Sequence, residues 1–152
     1  VVGPGSRVGD KLITHPGLDA ITFTGSTQTG ERVAQAASVG LRDASLELGG
    51  KNPAIVFADC DLDKAVEGTM RSAFVNYGQV CLGTERVYVE RPIFDEFVAR
   101  LKAQAETLKF GRPEESETSI GPLISASHRD KVLRYYDQAV AEGATVITGG
   151  GE

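Results

Sequence analysis

Residues 44–57 read ASLELGGKNPAIVF, and this stretch decides the fold. Ala44, Leu46 and Leu48 alternate with Ser45 and Glu47, the period of two that a strand gives because successive side chains point to opposite faces. Gly49 and Gly50 stop that strand, and a second apolar run, PAIVF, starts at Pro53. Glu47 therefore falls opposite the leucines, near the strand's end. In open α/β sheets ligands gather at the carboxyl ends of strands, so a carboxylate in front of two glycines is well placed for chemistry. The glycine pair also reads as a domain junction, dividing the chain into residues 1–48 and 49–152.

On the amino-terminal side, GPGSRVG (3–9) is a glycine-rich turn leading into a short helix-like GDKLIT, and HPG turns the chain with His15 as a turn residue. AITFTG then reads as a strand and GERVAQAAS as a helix. Between them, FTGSTQTG (23–30) resembles a phosphate cradle: Gly25, Ser26 and Gly30 open a helix whose positive end favours a pyrophosphate. Neither this segment nor GPGSRVG has the GxGxxG spacing of the usual dinucleotide fingerprint. A purely structural turn remains the alternative for each.

On the carboxyl-terminal side, Asp61 reads as the cap of a long helix on which Leu62, Ala65, Val66, Met70, Ala73, Phe74 and Tyr77 recur at helical spacing, with Gly78 as its breaker. ERVYVE is strand-like. A second amphipathic helix runs from Pro92 through Ile93, Phe94, Phe97, Leu101, Ala105 and Leu108, with Gly111 as its C-terminal cap. A third starts near Ser127, with Asp130 completing a capping box, and precedes Gly143 and a last strand, ATVIT. Glycine turns alternating with helices and strands specify an α/β architecture built of βα units.

The chemistry centres on FVNYGQVCLGTER (74–86), where Cys81 lies 34 positions after Glu47. A free cysteine alone is more often a small buried hydrophobe, and a strand glutamate is ordinarily a solvated one. Gly78 before Cys81 instead puts the thiol on a loop, accessible to a carbonyl. A thiolate that attacks a carbonyl, a nicotinamide that accepts the hydride and a carboxylate that activates the hydrolytic water together oxidise an aldehyde through a thioester. Cys60 reads as a packed or loop thiol. Arg86 opens a strand and reads as the partner of a nearby acid rather than of a substrate carboxylate.

The bulk properties are those of a globular protein: 152 residues, 41% hydrophobic and 24% charged, with a net charge of −5 and no basic run. Such a field attracts neither nucleic acid nor an acidic membrane surface. No apolar run reaches the roughly 18 residues of a membrane span. The two cysteines and two histidines lack metal-ligand spacing, so no metal is expected, and reduced thiols fit a soluble cytoplasmic protein. Both ends read as cuts through a larger fold.

VGPGSRVGDKLITHP (2–16), ITFTGSTQTGERV (21–33), LELGGKNPAIVFADCDLD (46–63) and FVNYGQVCLGTERVYVE (74–90) together resemble the aldehyde dehydrogenase superfamily in order and spacing. The resemblance implies an aldehyde dehydrogenase-like α/β fold, spanning the end of a Rossmann-type cofactor domain (1–48) and the start of an α/β catalytic domain (49–152). It implies Cys81 as nucleophile and Glu47 as general base. Gly25, Ser26, Gly30 and Gly5 would belong to an NAD cleft, with Leu48 and Gly49 passing beside the nicotinamide. It further implies a small-molecule aldehyde substrate, a homo-oligomer (dimer or tetramer) and no activity for these residues in isolation, because other oxyanion and ribose contacts lie outside them. Two rivals remain: a cysteine acyltransferase or hydrolase, for which neither His15 nor His128 sits in a supporting motif, and a non-catalytic scaffold that keeps the fold.

Overall fold

The computed structural model describes residues 2–150, and the chain divides into two compact units, Val1–Gly50 and Lys51–Glu152. Each is built on one pair of parallel strands. Parallel neighbours cannot be joined by a tight turn, and in both units a helix makes the crossover. The αβ alternation legible in the sequence therefore holds.

In the first unit the order is α1 (Gly5–Ile13), β1 (Ala20–Thr24), α2 (Thr27–Ser38) and β2 (Asp43–Glu47). Strands β1 and β2 pair from Ala20 opposite Asp43 to Thr24 opposite Glu47. Ile21, Val33 and Ala37 are buried, with Ile13, Leu18, Phe23 and Leu46 packed around them. Val33 and Ala37 are four residues apart, so one stripe of α2 faces the sheet. Burying a side chain such as Val33 or Ile21 contributes about 1.5–3 kcal/mol. The exposed Arg32 guanidinium joins α2 to α1 through both oxygens of Asp10, at 2.6 and 2.7 Å. Arg42 closes the far end of α2, donating to the carbonyls of Ala36 (2.5 Å) and Val39 (3.3 Å), which the last turn otherwise leaves without partners.

In the second unit β3 (Asn52–Val56) pairs with β4 (Thr84–Val89), connected by α3 (Leu62–Phe74) and followed by α4 (Phe94–Ala105) and α5 (Ala126–Ala141). The register slips between Asn52 and Pro53, where proline has no N–H to give to the ladder. Val56, Val66 and Phe97 form the buried centre, and Leu62, Ala65, Val87, Val89, Ile93 and Leu101 pack against it. Ile55 and Tyr88, pointing the other way from these strands, are exposed. Asp61 caps α3 as its position suggested, accepting from the Lys64 N–H. That backbone hydrogen bond, aided by the Lys64 side chain, lowers the Asp61 pKa below the usual carboxylate value.

Several boundaries differ from the sequence reading, each for a physical reason. The first helix starts at Gly5, directly after Pro4, so GPGSRVG is mostly helix and not a turn. Tyr77 leaves the helical stripe: α3 ends at Phe74, and Asn76 and Tyr77 take left-handed angles (φ 52° and 61°) in the tight turn Val75–Gly78. The second amphipathic helix ends at Ala105 with Glu106 as its cap, leaving Gly111 beyond it. The cap of α5 is Ser125, whose Oγ accepts from the His128 N–H, while Asp130 pairs with Arg129. ATVIT (144–148) is not a strand, since among the described residues no strand lies beside it to complete a ladder.

Candidate functional site

Cys81 stands at the corner of a β-turn. The Gly83 N–H donates to the Val80 carbonyl at 2.8 Å, closing the turn with Cys81 and Leu82 as its two central residues. Both are exposed, so the thiol is accessible as the loop reading required. Gly83 is buried, and a Cβ there would lie 3.0 Å from the Val80 carbonyl and 3.1 Å from that of Ser72. Two backbone oxygens crowd the place a Cβ would take, so any larger residue would force them to shift by a few tenths of an ångström.

Side chains hold the turn from two sides. The Asn52 amide nitrogen donates to the carbonyls of Cys81 (2.7 Å) and Gly83 (3.0 Å). The Ser72 hydroxyl, on α3, accepts from the Thr84 N–H at 3.1 Å and bonds the Thr84 hydroxyl at 2.7 Å. Ahead of the turn, the Asn76 amide donates to the Gln79 carbonyl at 3.2 Å. Asn52 was not singled out from the sequence. The only available signal was an amide residue between the glycine pair and a proline, and it names no partner. Among the described residues Arg86 pairs with no acid: its Nε and Nη2 donate to the Lys51 carbonyl at 3.0 and 2.6 Å. Cys60 is a half-buried free thiol against the core of its unit.

Glu47 is the last residue of β2 and is exposed, while its neighbours Leu46 and Leu48 are half-buried, so the alternation places the carboxylate as expected. The Glu47 carbonyl accepts from the Gly25 N–H at 3.0 Å, extending the β1–β2 ladder to the strand ends. Ser26 caps α2, accepting from the Thr29 N–H at 3.3 Å and donating to the Thr29 hydroxyl at 3.0 Å. Gly25, Ser26 and Glu47 thus share the carboxyl end of one parallel strand pair. Gly30 is buried in the first turns of α2, and a Cβ on it would lie 2.5 Å from Leu48 Cδ2. The Leu48 side chain thus packs against the bare Cα of Gly30, and a side chain at position 30 would have to displace it. Gly49 is exposed just beyond, and Gly5 is exposed at the start of α1 rather than at a strand end. His15 is a turn residue, its Nδ1 accepting from the Gly17 N–H at 3.1 Å.

A model of the aldehyde dehydrogenase family matches residues 1–152. The chain belongs to the aldehyde dehydrogenase family. It is 66% identical over 149 residues to a 2-hydroxymuconic semialdehyde dehydrogenase of Pseudomonas sp. (strain CF600), covering 98% of this chain and 30% of that protein. It is 53% identical to a 2-aminomuconic 6-semialdehyde dehydrogenase of Pseudomonas sp., with 98% of this chain and 30% of the relative covered. Among solved structures, betaine aldehyde dehydrogenase from Staphylococcus aureus in complex with NAD+ superposes with a TM-score of 0.95 at 38% identity, covering 100% of this chain and 30% of that one. The chain thus spans about 30% of the length of the relatives it matches. Its aldehyde dehydrogenase-like α/β fold follows from these superpositions. Among the described residues, no helix is long and apolar enough to cross a membrane.

Proposed function

We propose that this chain supplies the nucleophile, the general base and part of the cofactor cleft of an NAD-dependent dehydrogenase that oxidises 2-hydroxymuconate semialdehyde to 2-hydroxymuconate, in the meta-cleavage catabolism of aromatic compounds. The observation that carries the chemistry is Cys81, exposed at the corner of a turn held by side chains of its own unit. The substrate assignment rests on the higher identity to the hydroxymuconic relative than to the aminomuconic one, 66% against 53%. Residues 81–102, GPLIS (121–125), HRDKVLRYY (128–136) and GATVITGGG (143–151) are the segments that we read as resembling the hydroxymuconic enzymes.

The residues at the carboxyl end of β1 and β2 suit a dinucleotide. The first turn of α2 is exposed, and Ser26 engages the Thr29 N–H and hydroxyl, so the earlier N–H groups at the positive end of the helix have no intrahelical acceptor. Gly25, Ser26 and Gly30 would hold a pyrophosphate there, and Leu48 and Gly49 would border the nicotinamide. NAD, when bound, supplies the hydride acceptor.

The chain's own residues provide the remainder. The Cys81 thiolate attacks the aldehyde carbon, and the Cys81 N–H helps to stabilise the oxyanion; one such donor is typically worth about 2.7–4 kcal/mol. After hydride loss the carbonyl carbon is held as a thioester on Sγ. The Glu47 carboxylate takes a proton from water, the hydroxide attacks the thioester, and the acid leaves as the thiolate is restored.

The test is NADH formation by a full-length enzyme containing these residues, offered the hydroxymuconic semialdehyde, the aminomuconic semialdehyde and simple aliphatic aldehydes. Preference for the first, lost in Cys81→Ala, is the expected result. Turnover of simple aldehydes alone would overturn the substrate assignment, and no NADH from any of them would favour a scaffold.

A further inference from the structure

We propose that Asn52 is a positioning residue for the nucleophile: its side-chain amide holds the turn on which Cys81 attacks, and it does so as a two-proton donor that no isosteric acceptor can replace. The inference rests on the assignment of Cys81 as nucleophile under Proposed function.

A carboxamide nitrogen carries two hydrogens. Here the nitrogen has two acceptors to match them, the Cys81 carbonyl at 2.7 Å and the Gly83 carbonyl at 3.0 Å. The two acceptors flank Leu82, so a single planar group bridges a central and the last residue of the turn and holds the peptide plane that follows the thiol-bearing Cα. Asn52 is itself anchored. It is the first residue of β3, opposite Thr84 in the ladder; the preceding Lys51 carbonyl is gripped by the Arg86 guanidinium; and Asn52 is half-buried. The clamp therefore transmits the position of the strand pair to Cys81. Without it, the turn retains its own Gly83-to-Val80 hydrogen bond and the Ser72–Thr84 tie, so the fold survives while the thiol loses its fixed angle of approach. A misplacement of about 1 Å in a reacting group costs about 10²-fold in rate.

The donor requirement gives the proposal its sharpest test. Asn52→Asp keeps the shape of the side chain but, once ionised, has only acceptors to set against two carbonyl oxygens. In the full-length enzyme, Asn52→Ala and Asn52→Asp should each slow the NADH burst of the first turnover about 10²-fold, with KM for NAD unchanged and the aspartate variant at least as impaired as the alanine. Hydrogen exchange should quicken in residues 80–84 and stay as in the parent across α3 and α4. Ser72→Ala, which loosens the other end of the same turn without touching Cys81, should slow the burst in the same direction. A wild-type burst in Asn52→Asp overturns the proposal, as does loss of protection throughout α3 and α4, which would mark Asn52 as a general structural residue. If the parent forms no NADH with any aldehyde, the functional reading has failed, and the exchange pattern still decides the clamp.

Discussion

The two units each carry their proposed site residues beside a parallel strand pair, but at opposite ends of their strands. In the first, Gly25 and Ser26 follow β1 and Glu47 closes β2, so all three lie at the carboxyl end. In the second, Cys81 precedes β4 and is tied to Asn52, the first residue of β3, so the proposed nucleophile lies at the amino end. The difference shows in what holds each site. At the carboxyl end the crossover helix begins within three residues of β1, and its cap and close packing on Leu48 position the residues. At the amino end the chain arrives from α3 through an irregular turn, and dedicated side chains, Asn52 and Ser72, take over that work.

Breaking the second unit's site should have the largest effect. Cys81→Ala in the full-length enzyme is expected to lower NADH formation by at least about 10⁴-fold, since a covalent nucleophile has no substitute; steady-state assay with unchanged circular dichroism checks it. Glu47→Gln should cost about 10²–10⁴-fold in turnover while sparing the first-turnover burst, because the role proposed for Glu47 is confined to hydrolysis. A burst lost with the turnover would place Glu47 in acylation instead. In the first unit the effects should be those of packing. Gly30→Val forces a branched side chain onto Leu48 and is expected to destabilise by about 1–3 kcal/mol, read from urea denaturation. Ser26→Ala removes the α2 cap for about 1 kcal/mol, read the same way. If Ser26→Ala instead raised the Kd for NAD with no change in stability, the cap would be chiefly a ligand contact.

The smallest effect concerns α3. The Asp61 pKa is lowered by its hydrogen bond from the Lys64 N–H. A carboxyl whose folded pKa lies below its unfolded value contributes stability above the unfolded pKa and loses it as pH falls through the folded one. Asp61→Asn, which keeps a capping oxygen, should therefore flatten the acid limb of the stability curve slightly and leave neutral stability nearly unchanged; denaturation midpoints below pH 5 against those at pH 7 check it.

Elements whose side-chain period met a partner in the same unit were legible. The alternation of Leu46, Glu47 and Leu48, the stripe of Leu62, Ala65 and Val66, and the cap Asp61 all follow from local chemistry. Three-dimensional convergence was not legible. Nothing in the spacing of Asn52 and Cys81, 29 residues apart, links the amide to the turn, nor does a hydroxyl at Ser72 name Thr84 as its partner. Tyr77 kept the helical period although its backbone had already left the helix, because periodicity records which residues are apolar and not the sign of φ. ATVIT has strand composition, but a strand exists only where another supplies its hydrogen bonds.

The tight turn after α3 carries one further consequence. Asn76, Tyr77 and Gly78 are three successive residues with positive φ, 52°, 61° and 71°, in a chain of L-amino acids for which the left-handed basin costs roughly 1–2 kcal/mol per residue. Asn76 offsets part of this through its amide on Gln79. The fold contends here with the configuration of the α-carbon and not with the size or polarity of a side chain. An achiral building block such as aminoisobutyrate at position 76, introduced by semisynthesis, would find the mirror basin as accessible as its own, so the corner leading into the Cys81 turn is a site where stereochemistry itself can be used as the variable.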